Sequence, residues 1–372
     1  MTQPSISTAR EFYLLDEAQT LFPMSTSRIL VDKSSAELEA YLQKVLDPGQ
    51  VEHSFLPQLR VHAAKARHHT RRTLKLDPVA EYFVYDFVYR NRARFRKPYT
   101  TAREHHGFRF ENGLPVDGVT AYSEFKSSIS AHAALNAHTL SLDISSYFNS
   151  VYHHDLSHWC IGIGAVQTDV DGINQFLREI NAGRSIDCLP QGLYPCKMIG
   201  NNFLTFVDTS NRIRSSAVVR LMDDIHLFDS DESVLISDFH QIQSLLGEKG
   251  LSVNPSKTIL PSEARKSVSE SVDELKLGLL KKRREVMKRY ADGTDLSSHP
   301  ELQLDLRQRA YLLELLKSDA LTEEDAELVL ALMHEHGDDL LRYLPLLAAG
   351  FPNLAKRFYQ LGAAALRSTA RV

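Results

Sequence analysis

The groups in this chain best suited to chemistry are carboxylates. Val218 to Phe228 reads Val-Val-Arg-Leu-Met-Asp-Asp-Ile-His-Leu-Phe, so Asp223 and Asp224 stand side by side between two apolar arms. Adjacent aspartates repel one another when both ionise, which leaves two readings: a solvated turn, or a place where divalent cations collect. A third carboxylate, Asp143, closes the run His138-Thr-Leu-Ser-Leu-Asp, and an acid at a strand end ahead of a helix is a usual place for a metal ligand. An amide, Gln191, sits in Leu189-Pro-Gln-Gly, and an isolated ammonium, Lys257, in Asn254-Pro-Ser-Lys-Thr. Taken singly, an Asp-Asp turn is more often surface than site, and a solitary lysine is ordinarily surface decoration.

Strands and turns are needed to position such groups. Two residues between alternating runs predict a tight β-hairpin with Asp223 and Asp224 at its exposed tip. Leu140 and Leu142 alternate with polar neighbours, which predicts a half-buried strand ending at Asp143. Tyr147, Val151, Leu156 and Trp159 recur at roughly helical spacing and predict a helix after it. Pro190 fixes φ and Gly192 permits close backbone approach, so Leu189 to Gly192 is a turn, followed by helix over Met198 to Val207. Lys257 follows a turn and precedes a short apolar strand. Upstream, Thr8-Ala-Arg-Glu11 and Ser34-Ser-Ala-Glu37 both fit capping boxes at helix starts, the second helix ending near Asp47-Pro-Gly49. Gly107-Phe-Arg-Phe110 predicts a strand leading into a turn at Glu111-Asn-Gly113. Beyond Pro261 the sequence is charged, Leu-rich and helix-forming. It predicts a helix over Leu321 to Met333, capped by Thr322 and stopped at Gly337, and shorter helices over 340–349 and 354–361. Short helices in series suggest a small repeat-like helical domain, although no sequence period is evident.

Composition excludes several classes. A chain of 372 residues, 43% apolar and 24% charged, is an ordinary globular protein of two or three domains. No run approaches the roughly 18 consecutive apolar residues of a membrane span, and the opening lacks a basic-then-apolar signal, so a cytoplasmic protein is expected. Cys160, Cys188 and Cys196 are odd in number and lack Cys-x-x-Cys spacing, against a disulfide framework or structural zinc. The net charge of −4 hides a basic stretch from Arg60 to Arg109, with 13 Lys and Arg against 4 Asp and Glu. It includes Tyr82 to Tyr89, rich in aromatics, and then Arg90, Arg92, Arg94, Arg96 and Lys97. That stretch reads either as a phosphate-facing surface or as a solvated helix face. Lys281 to Arg284 reads as a solvated face, His334-Glu-His336 lacks the spacing of a helical metal site, and His153-His154 is open between substrate contact and local packing.

In order along the chain, Leu-Asp143-Ile-Ser-Ser-Tyr-Phe148, Leu-Pro-Gln191-Gly192, Leu-Met-Asp223-Asp224 and Asn-Pro-Ser-Lys257-Thr resemble successive palm motifs of reverse transcriptases. The resemblance implies an α+β fold with reverse-transcriptase-like fingers and palm and a C-terminal helical domain. The expected division is 1–59 N-terminal helical segment, 60–130 fingers-like basic region, 131–262 palm and 263–372 helical, HEAT-like domain. It implies nucleotidyl transfer in which two divalent ions, Mg²⁺ or Mn²⁺, clamp the attacking and leaving oxygens. By resemblance Asp143, the carbonyl of Ile144, Asp223 and Asp224 hold the ions. Phe148 lies under the sugar and selects deoxynucleotides, Gln191 contacts the incoming nucleotide, and Lys257 donates a proton to pyrophosphate. Arg103 and Arg109 are assigned to the triphosphate by position alone. The pattern departs from the family at Leu221, where an aromatic is usual, and after Gly192, where Leu-Tyr-Pro-Cys-Lys replaces small residues.

A palm followed by a helical tail, together with the opening Thr-Ala-Arg-Glu-Phe-Tyr-Leu-Leu-Asp, is most similar to the bacterial abortive-infection polymerases of the prophage-encoded branch, which act against phage. That resemblance implies dNTP substrates, untemplated synthesis primed by a protein hydroxyl, a single-stranded DNA product covalently attached to protein, and a homo-oligomer, trimer or hexamer. Two other readings stand beside it: a templated RNA-directed DNA polymerase of retron or intron type, and a non-catalytic nucleic-acid-binding scaffold.

Overall fold

A computed structural model describes residues 6–17, 25–66, 69–98, 100–185, 189–261, 270–291, 302–317, 323–333 and 347. The Thr322 cap, the Gly337 stop, His334 and His336, Cys188, the helix expected over 354–361 and nearly all of that over 340–349 lie outside the described residues. Contacts divide the chain into two compact units, residues 1–59 with 74–268, and residues 60–73 with 269–372.

The first unit is built on a four-stranded sheet. Its strands are β3 (Arg103–His105), β6 (His138–Asp143), β7 (Ala217–Leu221) and β8 (Asp224–Asp229), in the order β3-β7-β8-β6. β3 runs parallel to β7, and the β7–β8 and β8–β6 pairs are antiparallel. The remaining strands form two small ribbons, β1 (Leu59–Ala66) with β2 (His69–Lys75), and β4 (Phe110–Glu111) with β5 (Leu114–Pro115) across the turn at Asn112-Gly113. Side chains alternate across each strand. Ala217 and Val219 of β7 and Phe228 of β8 pack with Phe125 of the helix Gly118–Leu135 on one face. Val218, Ile225, Leu227, Leu140 and Leu142 join the main core on the other.

That core is centred on the helix Pro78–Arg90, in which Tyr82, Phe83, Val84, Tyr85, Phe87 and Val88 are all buried. A helix that is apolar all round is a core helix, so the aromatics of the basic stretch form the interior and do not present a stacking surface. Asp77 caps this helix, accepting from the N–H groups of Val79 (2.9 Å) and Ala80 (3.2 Å), and its other oxygen accepts from Leu56 N (3.3 Å). Asp77→Ala is expected to lower stability by about 1–2 kcal/mol, read from the denaturant midpoint.

The N-terminal helix Ala9–Glu17 starts as expected, with Glu11 N donating to Thr8 Oγ1 (3.2 Å), although the Glu11 carboxylate turns to Ser7. The helix Ser35–Leu46 ends where expected, but Ser34 makes no side-chain cap bond. Asp16 accepts from the Tyr85 hydroxyl (2.5 Å) and from Tyr194 N (2.9 Å), tying the N-terminal helix to the first turn of the helix Tyr194–Phe203. Burial raises the Asp16 carboxyl above its ordinary value, against those two hydrogen bonds.

In the second unit, Leu279, Val286, Leu312, Leu316 and Val329 form a separate core from the helices Glu270–Ala291, Leu306–Lys317 and Glu323–Leu332. Residues 60–73, expected in the fingers-like region, group with this unit instead. An isolated two-stranded ribbon buries too little to stand alone. Arg283 pairs with Glu327 (3.4 Å) and Lys282 donates to Gln303 O (2.6 Å), while Lys281 and Arg284 are exposed. Among the described residues no helix is long and apolar enough to cross a membrane.

Candidate active site

Strand register brings the carboxylates together. Asp143, the last residue of β6, lies directly opposite Asp224, the first of β8. Directly opposed residues of an antiparallel pair share a face, with Cα atoms about 4.5–5.5 Å apart. Asp224 is also opposite Leu221 of β7, so the two-residue turn of the hairpin is Met222-Asp223. The expected tip was Asp223-Asp224; the ladder retains Asp224 and moves the turn back by one residue. Met222 has φ of +56°. A positive φ at the first of two turn residues is the pattern of a type II′ turn, in which glycine is preferred.

Three acids crowded at one end of the sheet are costly to ionise together. Asp223 is only half-buried by surface exposure, yet desolvation by the surrounding atoms, with repulsion from Asp143 and Asp224, pushes its carboxyl up to about 6. Asp224, more open to solvent, is raised by desolvation and by Asp143. The cations acting on these acids are Lys257 and Lys126.

The segment Leu251–Leu260 runs beside β6 through isolated antiparallel bridges, Ile144 to Val253 and Ser141 to Ile259. Asn254 N donates to Asp143 O (2.7 Å), and its side-chain amide donates to Asp143 Oδ1 (3.1 Å). Lys257, at the end of a single 3₁₀ turn, donates through Nζ to Asp143 Oδ2 (2.8 Å). Desolvation pulls the Lys257 ammonium down, but Asp143, Asp224 and Asp223 outweigh it and hold it above the ordinary lysine value. The bonds that form the Ile144 to Val253 bridge come from Ser145 N and Asn254 N, so the bridge does not use the Ile144 carbonyl.

The helix expected after Asp143 is two helices, Tyr147–Ser150 and His153–Gly162, broken at Val151-Tyr152. Tyr147 is buried and donates to Gly200 O (2.7 Å). A Cβ at Gly200 would lie 3.1 Å from Leu189 and 3.4 Å from the ring of Phe148. The helix Tyr194–Phe203 thus approaches both Phe148 and the turn that carries Gln191. Gly192 in that turn has φ of +104°, a conformation that β-carbons disfavour.

The two predicted finger arginines are engaged elsewhere. Arg103 donates to the carbonyls of Ala102 (2.8 Å) and Ile213 (3.0 Å). Arg109 is buried and pairs with Glu111 (2.8 Å) and Glu124 (3.2 Å). Of the rest of the basic run, Arg90 pairs with Asp86 and Asp169, and Lys97 with Glu111, while Arg92, Arg94 and Arg96 are exposed. The rings of His153 and His154 lie against each other, centroids 4.1 Å apart and tilted by 33°. Sequence reasoning passed over Asn254, although it stands in the quoted Asn-Pro-Ser-Lys motif, and Lys126, which carries no local signal.

Among the described residues no three His, Cys, Asp or Glu side chains converge closely enough to hold a metal ion. The donor chemistry nonetheless fits hard divalent cations, since every acid here offers oxygen only. Desolvation raises Asp223 and Asp224 most, and the repulsion from Asp143 that adds to it is the charge such a cation would relieve.

The family model for reverse transcriptase (RNA-dependent DNA polymerase) matches residues 92–275, which include Asp143, Phe148, Gln191, Asp223, Asp224 and Lys257. Apo telomerase from Candida tropicalis is a structural match with a TM-score of 0.42 and 12% identity, covering 92% of this chain and 68% of that one. Telomerase from Candida albicans in complex with a fragment of telomeric RNA matches with a TM-score of 0.40 and 12% identity, covering 90% of this chain and 64% of that one. No curated protein matches the chain in sequence.

Proposed function

We propose, from the premise that residues 92–275 form a reverse-transcriptase domain, that the chain is a DNA polymerase acting in antiphage abortive infection, untemplated and primed by a protein hydroxyl. The observation that carries the polymerase reading is the register of Asp143 against Asp224 beside the Met222-Asp223 turn, with Lys257 bonded to Asp143. In nucleotidyl transfer a hydroxyl oxygen bonds to the α-phosphorus of a dNTP, the bond from that phosphorus to the bridging oxygen breaks, and pyrophosphate leaves. Asp143, the Ile144 carbonyl, Asp223 and Asp224 would hold two divalent ions, Mg²⁺ or Mn²⁺, which neutralise charge on the attacking and leaving oxygens. Lys257 stays protonated and is suited to give that proton to the departing pyrophosphate. The absence of a template, the protein primer, the homo-oligomer and the defence role draw their support from the motif resemblance to abortive-infection polymerases.

Purified protein incubated with labelled dNTPs and Mg²⁺ or Mn²⁺, without nucleic acid, is expected to yield DNA that migrates with protein until protease is added. Product released by heat and detergent alone would remove protein priming. A second reading, templated synthesis, is favoured by the family's description as RNA-dependent. Product that requires added RNA and copies its sequence would put that reading first.

Phe148→Ala is expected to raise ribonucleotide use relative to deoxynucleotide use by about 10- to 100-fold in kcat/KM, a range set by what one side chain's bulk can discriminate. Unchanged discrimination in a folded variant would remove Phe148 from the sugar site.

A further inference from the structure

Arg220 is fully buried, on the same face of β7 as Val218. Its guanidinium is shared between two tasks. Nε and Nη2 donate to the two oxygens of Asp208 (2.9 and 2.5 Å), a bidentate pair that neutralises the buried charge. Nη1 donates instead to Asn201 Oδ1 (2.9 Å) and to Met222 O (3.1 Å). Asn201 Oδ1 accepts a second bond, from Met222 N (3.1 Å), while its amide nitrogen donates to His106 O (3.2 Å). Both backbone polar groups of Met222 are therefore held by side chains. This is the residue with φ of +56° immediately before Asp223. Such a conformation is strained for a non-glycine residue and persists where its surroundings over-determine it.

Neutralising a buried arginine explains the Asp208 bonds but not the two that reach the turn. We propose that Arg220 and Asn201 are positioning residues that hold the Met222-Asp223 turn in the form that binds a divalent cation. This inference rests on the metal-dependent polymerase reading given above. Asn201 lies on the helix Tyr194–Phe203, which begins just after Gln191-Gly192. The same helix therefore supports the predicted nucleotide-contacting turn and, through Asn201, the carboxylate turn.

The test is Mn²⁺ binding to the full chain, followed by electron paramagnetic resonance of the free ion, without nucleotide. Asn201→Leu removes the acceptor that Met222 N and Arg220 share, whereas Asn201→Asp keeps it; Asp223→Asn marks binding at the carboxylates. Asn201→Leu is expected to weaken Mn²⁺ binding by about 10- to 100-fold, the usual effect of removing a group that orients a ligand, with Asn201→Asp close to the parent protein. If Asn201→Leu loses the parent's circular dichroism, Asn201→Ser, polar but too short to reach both partners, is read in its place. A folded variant with a lower Tm and unchanged Mn²⁺ affinity would reduce the network to a structural role and overturn the proposal. Mn²⁺ binding that is weakened by Asp223→Asn and by Asn201→Leu, with no nucleotide incorporation by any of the proteins, would sink the polymerase reading and leave this inference standing. No Mn²⁺ binding by the parent protein would overturn both.

Discussion

Asp223→Asn is expected to lower metal-dependent nucleotide incorporation by at least about 10²–10³-fold and, at neutral pH, to raise the melting temperature. The two effects have one cause. Desolvation and the neighbouring acids Asp143 and Asp224 lift the folded-state pKa of Asp223 from 3.8 to about 6. Between those values the folded chain binds more protons than the unfolded chain, so stability falls as pH rises through that window. Above it the ionised carboxylate destabilises the fold by up to about 3 kcal/mol. Asparagine keeps the shape and cannot ionise, so the variant should lack this part of the pH dependence and exceed the parent protein in Tm at pH 7. Adding Mg²⁺ should raise the Tm of the parent protein and do little for the variant, because a ligand stabilises only the state that binds it. A variant that is less stable than its parent at pH 7, or that still incorporates nucleotide at a comparable rate, would contradict this account.

The parts of the site legible in the sequence are those set by local pattern. Alternation at Leu140 and Leu142 located the β6 strand and its terminal Asp143, and the arms around Met222 located the hairpin. What local pattern does not contain is the partner across the ladder. That Asp143 faces Asp224 depends on β6 pairing with a strand some eighty residues later. The one-residue shift of the turn has in part the same origin: Met222, at positive φ, bonds through its N–H to Asn201, 21 residues earlier on another helix, as well as through its carbonyl to Arg220 on the hairpin's own arm.

Burial explains the remaining differences. Tyr82 to Tyr89 has the composition of a stacking surface, and short apolar runs do not reveal whether they lie inside; the helix proved to be the centre of the core. Arg109 looked available because local pattern does not show that its side chain turns inward, where neighbouring Glu111 and the more distant Glu124 pair with it. Ser34 satisfied the capping pattern without making the bond. One clue was readable and unused: alternation through Val218, Arg220 and Met222 puts a charge among core residues, and a buried charge demands partners.

Arg220→Met is expected to be among the most destabilising single changes in the first unit, by about 3–5 kcal/mol, because it leaves the Asp208 carboxylate buried without its counter-charge. Asp208 is 4% exposed, and the other basic side chain beside it is the imidazole of His105, with Nδ1 3.4 Å away. Burial alone would raise the Asp208 carboxyl; Arg220 outweighs it and holds the group below its ordinary value. The stability contributed by this ionisation is therefore present above the unfolded pKa and is lost as pH falls through the depressed folded value. The paired change Arg220→Met with Asp208→Leu removes both charges and should restore most of the lost stability, since apolar replacements of buried ion pairs are often neutral. It cannot restore the bond to Met222 O or the one to Asn201. Denaturant unfolding and Mn²⁺ binding should therefore part company: the double variant regains its midpoint but not its metal affinity. If affinity returns together with stability, Arg220 serves the core alone; if it does not, the buried arginine is there for the turn it holds.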